Sequence, residues 1–353
     1  MPNEVKKFIN SISNRSDLSE ADSTRLFQIM MNGGATPAQI AATLIGLKTK
    51  GETIDEIAGA VKLMRHKMIK LPISDELKSK AIDVCGTGGD NKGTFNISTA
   101  VAFVVAGCGV PVAKHGNKAV SSNSGSADVL SEMGVIINLK PEQSAQCLQE
   151  AGIAFLFAPV YHKTMIHVAP TRQELGTRTI FNILGPLINP AEVNKQVIGV
   201  YDKNLVLPIC NVLKNLGSKA AMVVHSEDGL DEISICDKTF VAELANDKIF
   251  TYEITPESLG IERVSIEKLY GGDAKFNAKA LKEVLTGARN EYRDAVLINA
   301  AAALKVAGLA TNLQEGIMMA SESIDYKKAN GALNKLVEIS NSFMEIEEEE
   351  EQE

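Results

Sequence analysis

From Ala81 onward the sequence alternates short apolar stretches with longer helical ones, and this rhythm narrows the available folds more than any other feature. Ala81–Val84, Val110–Lys114, Val135–Ile137, Ile153–Ala158, Val197–Tyr201 and Ala220–Val224 have strand character. Between them, Asn96–Val105, Ser126–Met133 and Pro141–Gly152 have the spacing and caps of helices. Strands and helices alternating at this interval imply an α/β domain with a mostly parallel central sheet flanked by helices. Ligands in such folds collect beyond the carboxyl ends of the strands, so polar loops at those ends are the places to look for chemistry.

The chain before this rhythm is different. Ser19 is placed to cap a helix running to about Met31, which Gly33 and Gly34 stop. Thr36-Pro37 restarts a helix, with a cap followed by proline at the first helical position. Thr53 and Glu56 have capping-box spacing before an apolar stripe of Ile54, Ile57, Ala58, Val61 and Met64. Residues 1–72 are therefore expected to form a small all-helical domain, with Lys70–Pro72 as a hinge to a large α/β domain over 73–344. Helices return after about Asn277, and the alanine-rich Asn299–Ala307 should be buried. Residues 345–353 are nearly all acidic and are expected to fray as a solvated tail.

Composition excludes several functions. The net charge of −8 disfavours nucleic acid as a partner. No apolar run approaches the length of a membrane span, and Met1–Arg15 carries no export signal. Five scattered cysteines, an odd number without close pairs, fit reduced thiols in a cytoplasmic protein rather than a disulfide framework or thiolate zinc site.

Three polar segments carry the chemistry. Gly86-Thr87-Gly88-Gly89-Asp90 is followed by Thr94, Asn96, Ser98 and Thr99. Glycines let successive backbone N–H groups approach an anion, and the start of the next helix adds more. The bland reading is a tight loop with Asn96 as a helix cap. Lys114-His115-Gly116-Asn117, continuing to Ser122 and Ser126, offers a cation, an amide and hydroxyls between a strand and a helix. A long surface loop is the alternative. Asp228-Gly229-Leu230-Asp231-Glu232 places adjacent carboxylates in a turn, suited to Mg²⁺ or simply to an acidic turn. Together these describe a polyphosphate site with a divalent cation. Phosphoryl transfer, glycosyl transfer from a sugar pyrophosphate and nucleotide binding all remain open on this chemistry.

The strings GTGGD (86–90), TFNIST (94–99), KHGNKAVSS (114–122), GSADVL (125–130), TRTIFNILGPLINP (177–190) and DGLDE (228–232) narrow the choice. In order and spacing they resemble the anthranilate phosphoribosyltransferase family of tryptophan biosynthesis, with its nucleoside phosphorylase/phosphoribosyltransferase fold. The resemblance runs to about Ile339. It implies transfer of 5-phosphoribosyl from 5-phosphoribosyl 1-pyrophosphate to anthranilate, with Mg²⁺ as cofactor. It also implies a homodimer joined through a helical domain that residues 174–190 complete. A glutamine amidotransferase component is a further partner it allows for, and none is fused within these residues. Gly86, Gly89, Asp90, Thr94, Asn96, Ser98, Thr99, Lys114, Asn117, Ser122 and Ser126 correspond to donor-binding positions. Ser98, Asp231 and Glu232 correspond to metal positions, and Gly86, Asn117, His115, His162 and Arg172 to acceptor positions. Lys114 and Mg²⁺ would stabilise the leaving group, and no side chain is assigned as acid or base. One stretch departs from the family, which commonly reads HPAMKHVAPVR. Here Lys163 stands for proline, Thr164 for alanine and Ile166 for a basic residue. That change at the outer acceptor channel leaves room for a different aromatic amine as substrate. A pyrimidine nucleoside phosphorylase-like enzyme and a nucleic-acid-binding relative are the competing functions.

Overall fold

A computed structural model of the chain describes residues 2–90, 92–119 and 123–350. Four helices open it: α1 (Pro2–Ser13), α2 (Glu20–Met31), α3 (Pro37–Lys50) and α4 (Ile54–Lys67). Their starts are set by local hydrogen bonds. Ser19 Oγ accepts from Asp22 N, and capping boxes close at Thr36/Gln39 and Thr53/Glu56. Glu56 does more than cap. Fully buried, it also accepts from Leu18 N at 2.9 Å and from Lys50 Nζ at 3.0 Å, joining the α1–α2 loop to α3 and α4.

The remainder follows in the order α5 (Asp75–Lys80), β1 (Asp83–Gly86), α6 (Ile97–Gly107), β2 (Val112–Gly116), α7 (Ser126–Glu132), α8 (Pro141–Ala151) and β3 (Ile153–Phe157). Three short helices come next, α9 (Ala158–Tyr161), α10 (Ala169–Leu175) and α11 (Ile180–Leu184). Then come β4 (Lys195–Gly199), α12 (Val206–Asn215), β5 (Ala220–Ser226), β6 (Thr239–Ala245) and β7 (Lys248–Ile254). Helices α13 (Ala274–Leu285), α14 (Glu291–Ala307), α15 (Leu313–Asp325) and α16 (Lys328–Glu350) complete the described chain.

Five strands form a sheet in the order β1-β4-β5-β6-β7, parallel through β5 and antiparallel beyond it. Successive residues point to opposite faces, so neighbours enter different cores. Val197 and Met222 face the side covered by α6, α14 and α16, whereas Ile198 and Val223 face α12 and the N-terminal helices. Ile180, Phe181, Ile183, Leu184 and Leu187 enter that second core. Residues 180–187 therefore pack with α2–α4 although the sequence places them after β3.

Strands β2 and β3 pair separately, parallel to each other, and among the described residues bridge to the main sheet through backbone pairing at Ile82–Val112. Beyond that bridge β1 and β2 diverge, and side chains replace the missing ladder. Asp83 Oδ1 accepts from His115 N at 3.2 Å, and Lys114 Nζ donates to Val84 O at 2.7 Å. Asn189 Nδ2 donates to Asp83 Oδ2 and to Ala113 O, both at 2.8 Å.

The structure departs from the sequence reading at two places. Val135–Ile137 is not a strand: Val135 and Ile137 are buried, but Ile136 N donates to Ser340 Oγ rather than to a neighbouring strand. The β6–β7 hairpin was not anticipated. Asn246 and Asp247 make its turn at φ 52° and 58°, as a two-residue type I′ loop requires, but exposed β7 lacks a strong apolar pattern. Helix α16 takes in the acidic run as far as Glu350. Residues 351–353 lie outside the described residues.

Candidate active site

The three polar segments converge at the carboxyl ends of β1, β2 and β5. Gly86 ends β1 and Gly116 ends β2, while the 228–232 turn follows β5. Asp231 lies so close to the neighbouring strand ends that a side chain at Gly86 would collide with its carboxylate, and one at Gly199 with its carbonyl. Glycine is needed at both positions because of this approach, independently of any ligand.

Two carboxylates then tie the loops together. Asp231 Oδ2 accepts from Gly88 N at 2.9 Å. Glu232 Oε1 accepts from Ser98 N at 3.2 Å, in the first turn of α6. Lys114, buried beneath them, donates to Ser98 Oγ at 3.2 Å in addition to Val84 O. Burial pushes both carboxylates well above their ordinary range, and mutual repulsion together with Asp90 adds to it. Burial pushes Asp90 up as well and Lys114 down. The site thus gathers more partly desolvated acidic groups than its cations offset. Hard oxygen donors with surplus negative charge fit a divalent cation of the magnesium type.

The remaining positions expected at the donor have distinct surroundings. Gly89 has φ +73° and faces Arg178. Asp90 Oδ1 accepts from Lys92 N at 3.2 Å, and Thr94 forms a backbone bridge with Tyr270. Thr99 is buried between α6 and Lys114, and lines the small void there rather than the mouth of the site. Asn117 Oδ1 accepts from Lys118 N at 2.8 Å, and its carbonyl accepts from Ala127 N and Ser126 Oγ. Ser122 lies outside the described residues. Asn96 occupies the cap position of α6 but makes no side-chain cap bond. Its amide instead bonds Ser124 and Asn277.

His115 and His162, expected at the acceptor, form a chain whose proton positions follow from one bond. The Gly185 carbonyl lies 3.0 Å from His115 Nδ1, so that nitrogen carries hydrogen. In the neutral ring His115 Nε2 must then accept, and His162 Nε2, 3.2 Å away, must donate. His162 Nδ1 is left a bare, buried acceptor without a partner. Burial lowers His115 to about 4 and His162 to about 3. Nitrogen-15 NMR should therefore show both rings neutral at pH 6, His115 as the Nδ1–H tautomer and His162 as Nε2–H. A ring titrating near 6.5 would contradict this arrangement.

Arg172 on α10 lies 4.9 Å above the Phe181 ring, and burial lowers its pKa. Among the described residues no carboxylate pairs with it. Lys163 and Ile166 are both exposed, on the turn between buried His162 and Val168. Two of the three departures from the family string therefore lie toward solvent, while Thr164 is half-buried.

Several residues of the site escaped the sequence reading. Arg178 stands 4.4 Å over the Tyr201 ring beside Gly89, close enough to Asp90 and Asp231 to favour their ionised forms. Asp128 Oδ2 accepts from Ala119 N at 2.9 Å and Gly125 N at 2.8 Å, closing the second loop. Asp83 and Asn189 bridge the split between β1 and β2. Arg178, Asp128 and Asn189 lay inside the quoted strings, but nothing in their spacing separated them from their neighbours.

Comparison with known proteins places these features in context. Residues 6–68 match the glycosyl transferase family, helical bundle domain, and residues 78–330 match the glycosyl transferase family, a/b domain. An anthranilate phosphoribosyltransferase of Rhodopseudomonas palustris (strain BisA53) is 52% identical over 339 residues, covering 96% of this chain and 99% of the relative. One from Xanthobacter autotrophicus is 52% identical over 338 residues, covering 96% and 97%. The crystal structure of the anthranilate phosphoribosyltransferase from Thermus thermophilus superposes with a TM-score of 0.89 at 37% identity, covering 95% of this chain and 99% of that one. The Saccharomyces cerevisiae enzyme in complex with PRPP and Mg gives 0.86 at 29% identity, covering 97% and 99%.

Proposed function

Because the chain belongs to the anthranilate phosphoribosyltransferases of this glycosyl transferase family, we propose that the cleft at the ends of β1, β2 and β5 carries a Mg²⁺-assisted phosphoribosyl transfer. The reaction moves 5-phosphoribosyl from 5-phosphoribosyl 1-pyrophosphate to the amino group of anthranilate, releasing pyrophosphate. The observation that carries the local assignment is the half-buried pair Asp231–Glu232, joined to the Gly86–Asp90 loop and to the start of α6. Bound there, a divalent cation would neutralise negative charge on the pyrophosphate as it departs. Asp231, Glu232 and Ser98 are the residues that would hold it. Among the described residues no group of three or more histidine, cysteine or acidic side chains is arranged to hold a metal alone. Magnesium commonly combines one or two carboxylates with substrate phosphates, so this sparse donor set fits.

The protein's own contribution is orientation and charge. The acceptor nitrogen attacks the anomeric carbon while the bond to pyrophosphate breaks, and positive charge develops on the ribose. The glycine loop and the α6 start border the place where the departing oxygens would lie, and Lys114 adds positive charge beneath Ser98. Arg172 binds the anthranilate carboxylate in this scheme, using the planar fork of its guanidinium. His115 and His162 titrate too low to serve as strong bases. The proton leaves the amine after the carbon–nitrogen bond forms, so no strong base is required. Much of the acceleration comes from holding two reactants in line.

The wider assignment includes a homodimer formed through the helical layer, cooperation with a separate glutamine amidotransferase component and a cytoplasmic setting. Five free cysteines support that setting, and among the described residues no helix is long and apolar enough to cross a membrane. The test is the loss of anthranilate fluorescence with phosphoribosyl pyrophosphate and Mg²⁺, each omitted in turn. Turnover only when all are present is expected. Metal-independent turnover would overturn the Mg²⁺ assignment. Phosphate-dependent cleavage of pyrimidine nucleosides without anthranilate consumption would overturn the reaction.

A further inference from the structure

We propose that Asn277, at the start of α13 and outside the substrate-binding motifs, is a positioning residue that holds the two donor loops in register. The proposal rests on the phosphoribosyl-transfer reading and assigns a further residue to that site. Asn277 is 2% exposed, and its amide is used on both sides. Its Oδ1 accepts from Gly272 N at 2.8 Å. Its Nδ2 donates to Asn96 Oδ1 and to Ser124 Oγ, both at 2.9 Å. Asn96 belongs to the first donor segment and Ser124 to the second, immediately before Gly125 and Ser126. The two also bond each other, Ser124 Oγ to Asn96 Oδ1 at 3.1 Å and Asn96 Nδ2 to Ser124 O at 3.3 Å.

The chain around Asn277 is fastened to the same loop. Gly271 N donates to Gly93 O at 2.8 Å, and Phe95 N to Leu269 O at 3.0 Å. The Phe95 ring stacks on Tyr292 at 4.4 Å and lies 6.0 Å from Phe276. Tyr292 OH donates to Asn96 O at 3.1 Å. A side chain at Gly271 would come within 2.6 Å of the Asn277 amide and 2.9 Å of Thr94 O, so the turn lies flush on the donor loop. The junction asks one short side chain to accept once and donate twice. An amide does so; a carboxylate has no hydrogen to give when ionised, and a hydroxyl has one.

Asn277→Asp in the full-length enzyme separates positioning from simple tethering of α13. It keeps an oxygen for Gly272 N and loses both donations to the loops. Steady-state kinetics with each substrate varied, together with thermal melting, should show a rise of about tenfold or more in KM for phosphoribosyl pyrophosphate, the scale expected when a positioning contact is lost. KM for anthranilate should stay within about twofold, while the melting temperature should fall by several degrees, because the new carboxylate is buried opposite the Asn96 Oδ1 oxygen. Asn277→Ala should shift donor KM in the same direction. Unchanged donor KM in the Asp variant, or parallel rises in both KM values, would overturn the proposal. Failure of both variants to give soluble protein would also overturn it, making Asn277 a folding residue. A wild-type enzyme that consumes no anthranilate would remove the underlying reading, and the proposal with it, before any variant is compared.

Discussion

The double replacement Asp231→Asn with Glu232→Gln is expected to give a more stable protein that scarcely transfers phosphoribosyl. Both carboxylates are half-buried, and loss of solvation together with like-charged neighbours pushes both above their ordinary range. Each therefore costs stability when ionised and metal-free. The sign follows from linkage: with folded pKa values above the unfolded ones, their contribution is most favourable below about pH 4 and is lost as pH rises through the raised values. Neutral amides of the same shape remove that cost at neutral pH. They keep an oxygen for Gly88 N and one for Ser98 N, the two backbone bonds the acids accept. A gain of about 1–2 kcal/mol is expected, or roughly 2–5 °C in melting temperature without metal. Addition of Mg²⁺ should raise the melting temperature of the wild type and leave the variant unmoved. Turnover should fall by about 100-fold or more, the scale seen when charge stabilisation at a reacting centre is removed. A variant that melts lower than wild type without metal, or keeps its Mg²⁺ response, would show that these carboxylates are structural.

Arg172→Ala should separate the two substrates. Its guanidinium is largely desolvated over Phe181, and among the described residues it has no acidic partner. A cation held this way is prepared for a carboxylate that arrives with the substrate. Removing one side of such a pair costs about 2–4 kcal/mol, roughly 30- to 1000-fold in kcat/KM for anthranilate. The KM for phosphoribosyl pyrophosphate should change by no more than about twofold, since no donor-loop residue contacts Arg172 in the contacts described above. Lysine should restore little, because it lacks the planar fork. Arg178→Ala is the informative control. If that variant lost anthranilate use while Arg172→Ala did not, the carboxylate site would belong beside Gly89 instead.

Much of the molecule was legible because its signals are local. Ser19, Thr36 and Thr53 cap helices through backbone groups only three residues away, so the sequence at those points suffices. The Asn299–Ala307 stretch is buried except for partial exposure at Lys305 and Ala307, as its apolar composition implies. Strand β7 was missed for the converse reason: it lies at the sheet edge, is largely exposed and follows no strong alternation. Val135–Ile137 misled because buried apolar residues alone do not decide whether a backbone pairs as a strand.

The same division runs through the site. The sequence by itself determined the chemistry available, namely a glycine-rich turn, a lysine-bearing loop and adjacent carboxylates at strand ends, because residue type fixes what each group can donate, accept or ionise. Only the tertiary structure decided how those groups are used. It drew Asp231 and Glu232 onto the glycine loop and the start of α6, and it turned Lys114 inward to Val84 and Ser98. It also used Asn96 to join loops rather than to cap a helix. Those outcomes depend on the divergence of β1 from β2 and on α13 packing across both loops. Burial and hydrogen-bond partners are set by residues distant in the chain, and a local pattern carries no record of them.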